Sequence, residues 1–174
     1  AEDIDPEAEI AFLFAPMTDY TPQELEKLDR FLDNEGKFGK KLIYVASHNQ
    51  PELPNLESFL SEWGIGIGNS LIVETNQKNI YDKQGFMFGA SFDEAAQPYL
   101  SRVKNPSLLF VGYYCRPISV LWEEKDNRTA RYLVRAPESC TLYQLDTGEL
   151  LGERAENSMN SEENPSVNGG LGIA

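Results

Sequence analysis

Two cysteines and one histidine are the residues of this chain whose types best suit covalent chemistry. Cys115 closes an apolar run at residues 107–114, which predicts a buried strand, and His48 follows a second such run at residues 42–47. A thiol after one strand and an imidazole after another are the parts of a cysteine hydrolase, in which the histidine activates the thiol. This hypothesis requires a thiol that ionises near neutral pH.

Bulky neighbours oppose a nucleophilic role for Cys115. The strained turn that presents a nucleophile needs small residues, whereas the run at 113–117 is Tyr-Tyr-Cys-Arg-Pro. We therefore predict that the chain is not an enzyme, has no catalytic residues, and uses Cys115 as a small buried hydrophobe. One disulfide bond between Cys115 and Cys140, or none, are both compatible with the sequence.

Metal and cofactor sites are also not predicted. One histidine and two separated cysteines, without H-x-x-x-H or C-x-x-C spacing, provide no ligand set. The glycines of residues 64–69 follow a helical pattern and lead into a strand, whereas a dinucleotide loop follows a strand and opens a helix. Carboxylate pairs for glycoside hydrolysis meet in space, and the sequence favours no pair over another.

Binding surfaces are better candidates than catalytic ones. Proline-rich and aromatic loops follow the predicted strands, at the edge where open α/β sheets place their ligands. The predicted surface consists of His48, Asn49, Pro51, Tyr113, Tyr114 and Arg116. Such a surface suits a partner protein or a saccharide.

The charge restricts the class of partner. Lysine and arginine number 15 and aspartate and glutamate 28, so the formal net charge is 15 − 28 = −13. Nucleic acid backbones and anionic lipid surfaces would repel such a chain, and we predict neither as a partner. No apolar run reaches the roughly 18 residues of a membrane span, so no direct membrane insertion is predicted.

The element that positions these loops best is a helix predicted at residues 22–34. Thr21 is an N-cap, Pro22 occupies the first turn, Glu24 completes a capping box, and Gly36 is the predicted left-handed stop. An apolar stripe runs along this helix at Leu25, Leu28, Phe31 and Leu32. Apolar runs at 10–16 and 42–47 flank it, which predicts a right-handed βαβ unit with parallel strands.

A second helix is predicted at residues 56–63, with Asn55 as its N-cap. Residues 71–74 and 107–114 are further buried-type strands, and residues 75–106 are interpreted as a flap or long loop. We predict one α/β domain over residues 1–151, a three-layer sandwich whose central sheet is mainly parallel. Residues 152–174 are predicted to be a polar, flexible segment.

Two motifs together resemble a known family. The first is Phe-Leu-Phe-Ala-Pro at 12–16 followed by the capped helix and Gly-Lys at 36–37, and the second is Leu-Pro-Asn-Leu-Glu-Ser-Phe-Leu-Ser-Glu-Trp-Gly-Ile at 53–65 followed by the strand at 71–73. The pair is similar to the extracytoplasmic domain of GldG-type auxiliary proteins of ABC transport systems, named from gliding motility. The sequence departs from that pattern at residues 37–41, where the family usually runs straight into the strand.

The resemblance implies a flavodoxin-like fold of the glutamine-amidotransferase-like superfamily. It implies a non-catalytic recognition or scaffold domain without cofactors, on the extracytoplasmic face of the membrane and belonging to a membrane-anchored parent. Its implied partners are the membrane and ATPase subunits of an ABC transporter. The alternatives are a cysteine hydrolase of the glutamine-amidotransferase-like type and a saccharide-binding module.

Overall fold

A computed structural model describes residues 3–102, 109–151 and 170–171 of the chain. The elements in chain order are β1 (Ile10–Phe14), α1 (Pro22–Asp33), β2 (Lys41–Val45), α2 (Pro54–Glu62), β3 (Ile65–Ile67), β4 (Ser70–Glu74), β5 (Met87–Phe92), a 3-10 turn (Glu94–Ala96), α3 (Gln97–Leu100), β6 (Phe110–Tyr113), β7 (Ile118–Val120), β8 (Glu124–Lys125), β9 (Arg128–Thr129), β10 (Val134–Arg135), β11 (Cys140–Gln144) and β12 (Gly170–Leu171).

The predicted βαβ unit is present at the start of the chain. β1 and β2 pair in parallel, with Phe12 opposite Ile43, and α1 connects them. The capping box is confirmed, since the Thr21 side chain accepts a hydrogen bond from the Glu24 N–H and the Glu24 carboxylate accepts one from the Thr21 N–H. The left-handed stop begins at Asn34, with φ of +49°, two residues earlier than predicted.

The N-terminus of α2 is capped from a distance. Asn55 was predicted as the N-cap, but it lies inside the helix, and Leu53 is the cap residue without a side-chain bond. The Asp19 carboxylate accepts the N–H groups of Asn55 at 2.9 Å and of Leu56 at 3.2 Å. The Asn55 side chain in turn donates to the carbonyl of Tyr20 at 2.9 Å. The loop before α1 is therefore bound to the start of α2.

Both long helices bury their apolar stripes against one face of the β1–β2 pair. The buried members of this core are Leu25, Leu28, Phe31, Leu32, Leu53, Leu56, Phe59 and Leu60. Ala11 and Leu13 pack on it from β1, and Leu42 and Tyr44 pack on it from β2. The opposite face of the pair is uncovered within the described residues, because Phe12 and Phe14 remain 51% and 67% exposed.

The predicted three-layer sandwich with a central, mainly parallel sheet is wrong, and so is the flavodoxin-like, glutamine-amidotransferase-like fold that the resemblance implies. β1 and β2 form the parallel pair, and every other strand pair among the described residues is antiparallel. The strand predicted at 71–74 is β4, which pairs with β11 outside the main sheet. The strand predicted at 107–114 is present as β6, at one end of a six-stranded sheet in the order β3-β7-β12-β10-β5-β6.

The physical reason is that burial does not specify strand direction. A parallel pair needs a long crossover, which in the first part of the chain is supplied by α1. Among the later strands, β8 and β9 form a hairpin across a short turn, and the other antiparallel pairs, such as β4 with β11, join strands that are far apart in the chain. Their shared core contains Ile72, Phe88, Ala90, Val134 and Cys140. Continuous apolar runs were interpreted as parallel strands, but β4 is buried at all five positions within an antiparallel pair.

Two predictions fall largely outside the described part of the chain. The first is the polar segment at 152–174, of which the structure describes the strand Gly170–Leu171. The second is the start of the strand predicted at 107–114, since residues 103–108 are not described.

The capping of α2 by Asp19 leads to a prediction about stability. In Asp19→Ala the N–H groups of Asn55 and Leu56 lose their acceptor, and we expect the free energy of unfolding to fall by about 1 to 2 kcal/mol. Asp29→Ala is the matched control, because Asp29 is an exposed aspartate on α1. Urea denaturation of the three proteins checks this, and equal midpoints for both variants would show that Asp19 does not hold α2.

Candidate partner-binding surface

The structure brings two of the predicted surface segments together. His48 lies in the turn after β2, and Tyr114 follows β6 directly. Their rings are 4.9 Å apart between centroids. A residue early in the chain and one from the antiparallel half therefore meet at a single surface.

Tyr114 is the centre of an aromatic cluster. Its ring stacks on Phe86 at a centroid distance of 4.8 Å and an interplanar angle of 7°. Tyr113 meets it edge to face at 4.8 Å, and Tyr143 meets Phe86 edge to face at 5.8 Å. We call these four side chains, together with His48, the aromatic cluster. Stacked and edge-to-face pairs of this kind each stabilise the arrangement by about 0.5 to 1.5 kcal/mol.

Backbone strain accompanies the cluster. Tyr114 has φ of +48°, a left-handed conformation that a bulky side chain rarely adopts. Such a conformation costs about 1 to 3 kcal/mol and persists where the surrounding contacts impose it, often at binding sites. The Tyr114 N–H donates to the carbonyl of Phe86 at 3.0 Å, which helps to hold this conformation.

Exposed apolar side chains extend the cluster along β6. Tyr113 is 65% exposed, and Leu109 and Val111 project on the same side of this strand. Tyr81 reaches the same area, since a side chain at Gly89 on the neighbouring strand β5 would contact both Tyr81 and Leu109. We call Tyr81, Leu109, Val111 and Tyr113 the β6 face. β6 is a terminal strand of its sheet, so among the described residues one of its backbone edges has no strand partner.

Arg116 does not lie on this surface. Its side chain is 5% exposed, and its Nε donates to the carbonyl of Gly68 at 2.9 Å. Nη2 lies 3.4 Å from the Asn69 side-chain oxygen, and Nη1 has no partner among the described residues. Arg116 thus connects the turn after β6 to the turn between β3 and β4, and we interpret it as structural.

The loop after β2 presents its other two predicted residues to solvent. Asn49 and Pro51 are exposed, whereas Gln50 between them is buried. The Gln50 amide donates to the hydroxyl of Tyr44, which anchors the loop to β2. Asn49 and Pro51 are therefore accessible on an anchored loop next to His48.

The cysteine hypothesis receives no support from the geometry. His48 packs on Tyr114, and no hydrogen bond joins it to Cys115 within the described residues. Burial raises the pKa of the Cys115 thiol above its ordinary value, against a lowering by a backbone hydrogen bond with Tyr113. Burial also raises the pKa of Cys140 to about 12. Both cysteines are free, so the disulfide alternative is not realised.

Glu74 is a buried carboxylate with a structural role. Burial alone would raise its pKa, but hydrogen bonds from Ser139, Asn76 and Asn79 outweigh this and hold the pKa of Glu74 below its usual range. The Asn76 N–H donates to Oε1 at 2.7 Å, and the Asn79 side chain donates to Oε2 at 3.1 Å. Both oxygens are therefore occupied in holding the loop after β4.

A cavity of about 490 Å³ opens beside the aromatic cluster. Phe86 and Tyr143 form aromatic walls, and Gln84 and Glu149 contribute polar groups. In the part of the chain that the structure describes, no group of three or more His, Cys, Asp or Glu residues is arranged to hold a metal ion. No described helix is both long and apolar enough to span a membrane.

Sequence reasoning missed Tyr81 and Tyr143. Tyr143 lies on β11, and its distance along the chain from Phe86 gives no sign that the two rings meet. Tyr81 lies in a segment interpreted as a flap or long loop. The pairing of β5 with β6 places it near Leu109.

Comparisons with known proteins show the fold and nothing finer. No family model matches the chain, and no curated protein matches it. Among solved structures, it is similar to the mmIFT52 N-terminal domain, with a TM-score of 0.56 and 19% sequence identity. The match covers 80% of this chain and 59% of that one, so the chain spans somewhat more than half of the neighbour's length. This likeness is one of fold alone.

The raised thiol pKa predicts slow alkylation. At pH 7.5 we expect iodoacetamide to modify Cys115 more than about tenfold more slowly in the folded chain than in urea, because the thiol is both buried and protonated. The folded rate should rise as the pH is raised above 9. Mass spectrometry of the modified peptide checks this, and rapid modification that persists down to pH 6 would show an activated thiolate.

Glu74 predicts a pH-dependent contribution to stability. Glu74→Gln should lower the free energy of unfolding at pH 7 by about 1 to 3 kcal/mol, since the amide is a poorer acceptor for the N–H of Asn76. Because the folded pKa is depressed, this difference should shrink as the pH falls below about 4. Glu138→Gln, at an exposed position, is the control. A difference independent of pH would contradict this interpretation.

Proposed function

We propose that this chain is a non-catalytic recognition or scaffold domain that binds a partner protein through the aromatic cluster and the β6 face. The observation that carries the proposal is the position of Tyr113. It is 65% exposed although it is a large aromatic residue, and it contacts Tyr114, which the cluster holds in a strained conformation. Exposed aromatic residues supported by a rigid base are typical of the centre of protein interfaces.

The chemistry of the described residues favours binding over catalysis. The single histidine contacts an aromatic ring, and the thiol nearest to it has a raised pKa. A nucleophile requires the opposite shift. The buried carboxylate of Glu74 uses both oxygens in hydrogen bonds that hold a loop.

The resemblance to GldG-type proteins supports a particular setting for this domain. The residues of both motifs form β1, α1, β2, α2 and β4, although β4 pairs with β11 and not with the β1–β2 pair. On this basis we propose the membrane and ATPase subunits of an ABC transport system as partners, on the extracytoplasmic side and from a membrane-anchored parent.

A second candidate function is saccharide binding, which the cavity beside the cluster favours. Phe86 and Tyr143 line it together with Gln84 and Glu149. Aromatic rings combined with polar side chains are suited to the apolar and hydroxyl faces of a sugar. This function would depend on Tyr143, whereas protein binding would depend on Tyr113.

Two tyrosines of similar exposure, Tyr113 and Tyr99, provide a matched pair of variants for the test. With the chain as bait on membrane extracts of its source organism, we expect Tyr113→Ala to reduce recovery of the transporter subunits by about tenfold or more, the effect of losing an interface hot spot. Tyr99→Ala is the matched control, because Tyr99 is 69% exposed and lies on α3, away from β6. Recovery should be quantified by mass spectrometry.

Several results would overturn the proposal. Equal recovery of the transporter subunits with Tyr113→Ala and Tyr99→Ala would show that the partner does not bind through the β6 face. Binding to a glycan array that is lost in Tyr143→Ala and kept in Tyr113→Ala would establish the saccharide hypothesis instead. Hydrolysis of an ester or amide that disappears in Cys115→Ala would establish an enzyme.

A further inference from the structure

A second opening lies between β2 and β3, on the other half of the molecule. These two strands do not pair with each other, yet their side chains line one cavity of about 200 Å³. The lining is mostly apolar and includes Leu42, Ile43 and Tyr44 from β2 and Ile65 and Ile67 from β3. We call this cavity the β2–β3 groove.

One backbone edge of β2 is hydrogen-bonded to β1, and the other edge has no strand partner among the described residues. The Lys41 N–H donates to the carbonyl of Glu9, and the carbonyl of Val45 accepts from the Ala15 N–H. Alternate residues of a strand direct their backbone groups to the same side, so Lys41, Ile43 and Val45 face β1. The N–H and C=O groups of Leu42 and Tyr44 therefore point away from β1 and have no strand partner among the described residues.

β3 shows the same asymmetry. The carbonyl of Gly64 accepts from the Leu121 N–H, and the Gly68 N–H donates to the carbonyl of Pro117, so the glycines face β7. The backbone groups of Ile65 and Ile67 then point to the opposite side. β3 is a terminal strand of the six-stranded sheet, and no described strand pairs with that side.

These two open edges border the same space. Leu42, Tyr44, Ile65 and Ile67, whose backbone groups lack strand partners, all line the groove. Trp63 lines it as well, and its buried indole Nε1 has no hydrogen-bond partner among the described residues. Unpaired polar groups in an apolar setting cost free energy, which a ligand able to pair with them recovers.

We propose that the β2–β3 groove binds an extended peptide segment of a partner protein, which adds a strand between β2 and β3. A strand is the occupant whose two backbone edges can pair with two open strand edges at once. The cavity of about 200 Å³ has room for a few side chains of such a segment. An α-helix satisfies its own backbone and would leave these edges unpaired.

The lining defines the chemistry of the segment. Lys40 is already engaged, since its Nζ donates to the carbonyls of Pro6 and Ala8. The remaining wall is aliphatic and aromatic apart from Lys41. The segment is therefore uncharged and rich in β-branched residues, which fit an extended backbone between sheet edges.

The test uses the whole chain and a defined probe, the acetylated and amidated peptide Thr-Val-Thr-Ile-Thr-Val-Thr. Binding is followed by titration calorimetry, and backbone hydrogen exchange is measured by NMR. We expect the amides of Leu42, Tyr44, Ile65 and Ile67 to become protected on binding. The same peptide with N-methyl groups on alternate residues keeps its side chains but cannot pair on one edge, and it should bind at least about tenfold more weakly.

Two variants on one strand face give a matched control. Ile43 lines the groove and is not part of the helical core, so Ile43→Glu should weaken peptide binding about tenfold without unfolding the chain. Val45 lies on the same face of β2 and is 46% exposed, but it does not line the groove. Val45→Glu should leave the affinity within about twofold of the parent.

Each remaining outcome contradicts the proposal. No binding, equal binding of the N-methylated peptide, or equal losses in both variants would exclude strand addition. Tight binding of an amphipathic helical peptide or of a second copy of the chain, without protection of the four amides, would assign the groove to another occupant. Tyr113→Ala should not change binding of the peptide, so this proposal and the proposed function fail independently.

Discussion

The position of Asp19 is the constraint on which the first half of this structure depends. Its carboxylate accepts two N–H groups at the start of α2, and the neighbouring Tyr20 carbonyl accepts the Asn55 side chain. Since Asp19 lies just before the capped start of α1, one loop fixes where both helices begin. The helices can then bury their stripes on the same face of the β1–β2 pair, which by itself would be only marginally stable.

Within the described part of the chain, this arrangement leaves the β1–β2 pair with one covered and one uncovered face. Helices cover the inner face of the parallel pair, while Phe12 and Phe14 stack on each other in the open on the outer face. The antiparallel half ends in β3 on one side and in β6 on the other. Parallel strands are normally covered on both faces, and open strand edges normally receive protection. An uncovered apolar sheet face and unpaired strand edges are therefore the features through which we propose that this domain binds its partners.

Local signals were sufficient to predict α1, since its capping box, proline and apolar stripe all lie within the helix and its first turn. They failed for the cap of α2, because its acceptor is an aspartate 36 residues before Asn55. They also failed for the sheet: an apolar run such as β4 looks the same whether its neighbour is parallel or antiparallel. At the surface, the aromatic loops could be proposed from composition, but the contact of His48 with Tyr114 and the burial of Arg116 depend on tertiary pairing.

Photo-crosslinking at the β6 face tests the central claim, that this surface binds a partner protein, most directly. A photoreactive phenylalanine analogue is placed at position 113 or at position 99 in the parent protein, and cells of the source organism are irradiated. Our account predicts a discrete cross-linked product from position 113 that is absent from position 99, and mass spectrometry then names the partner. The same products from both positions, or none from position 113 while the protein is folded, would contradict it.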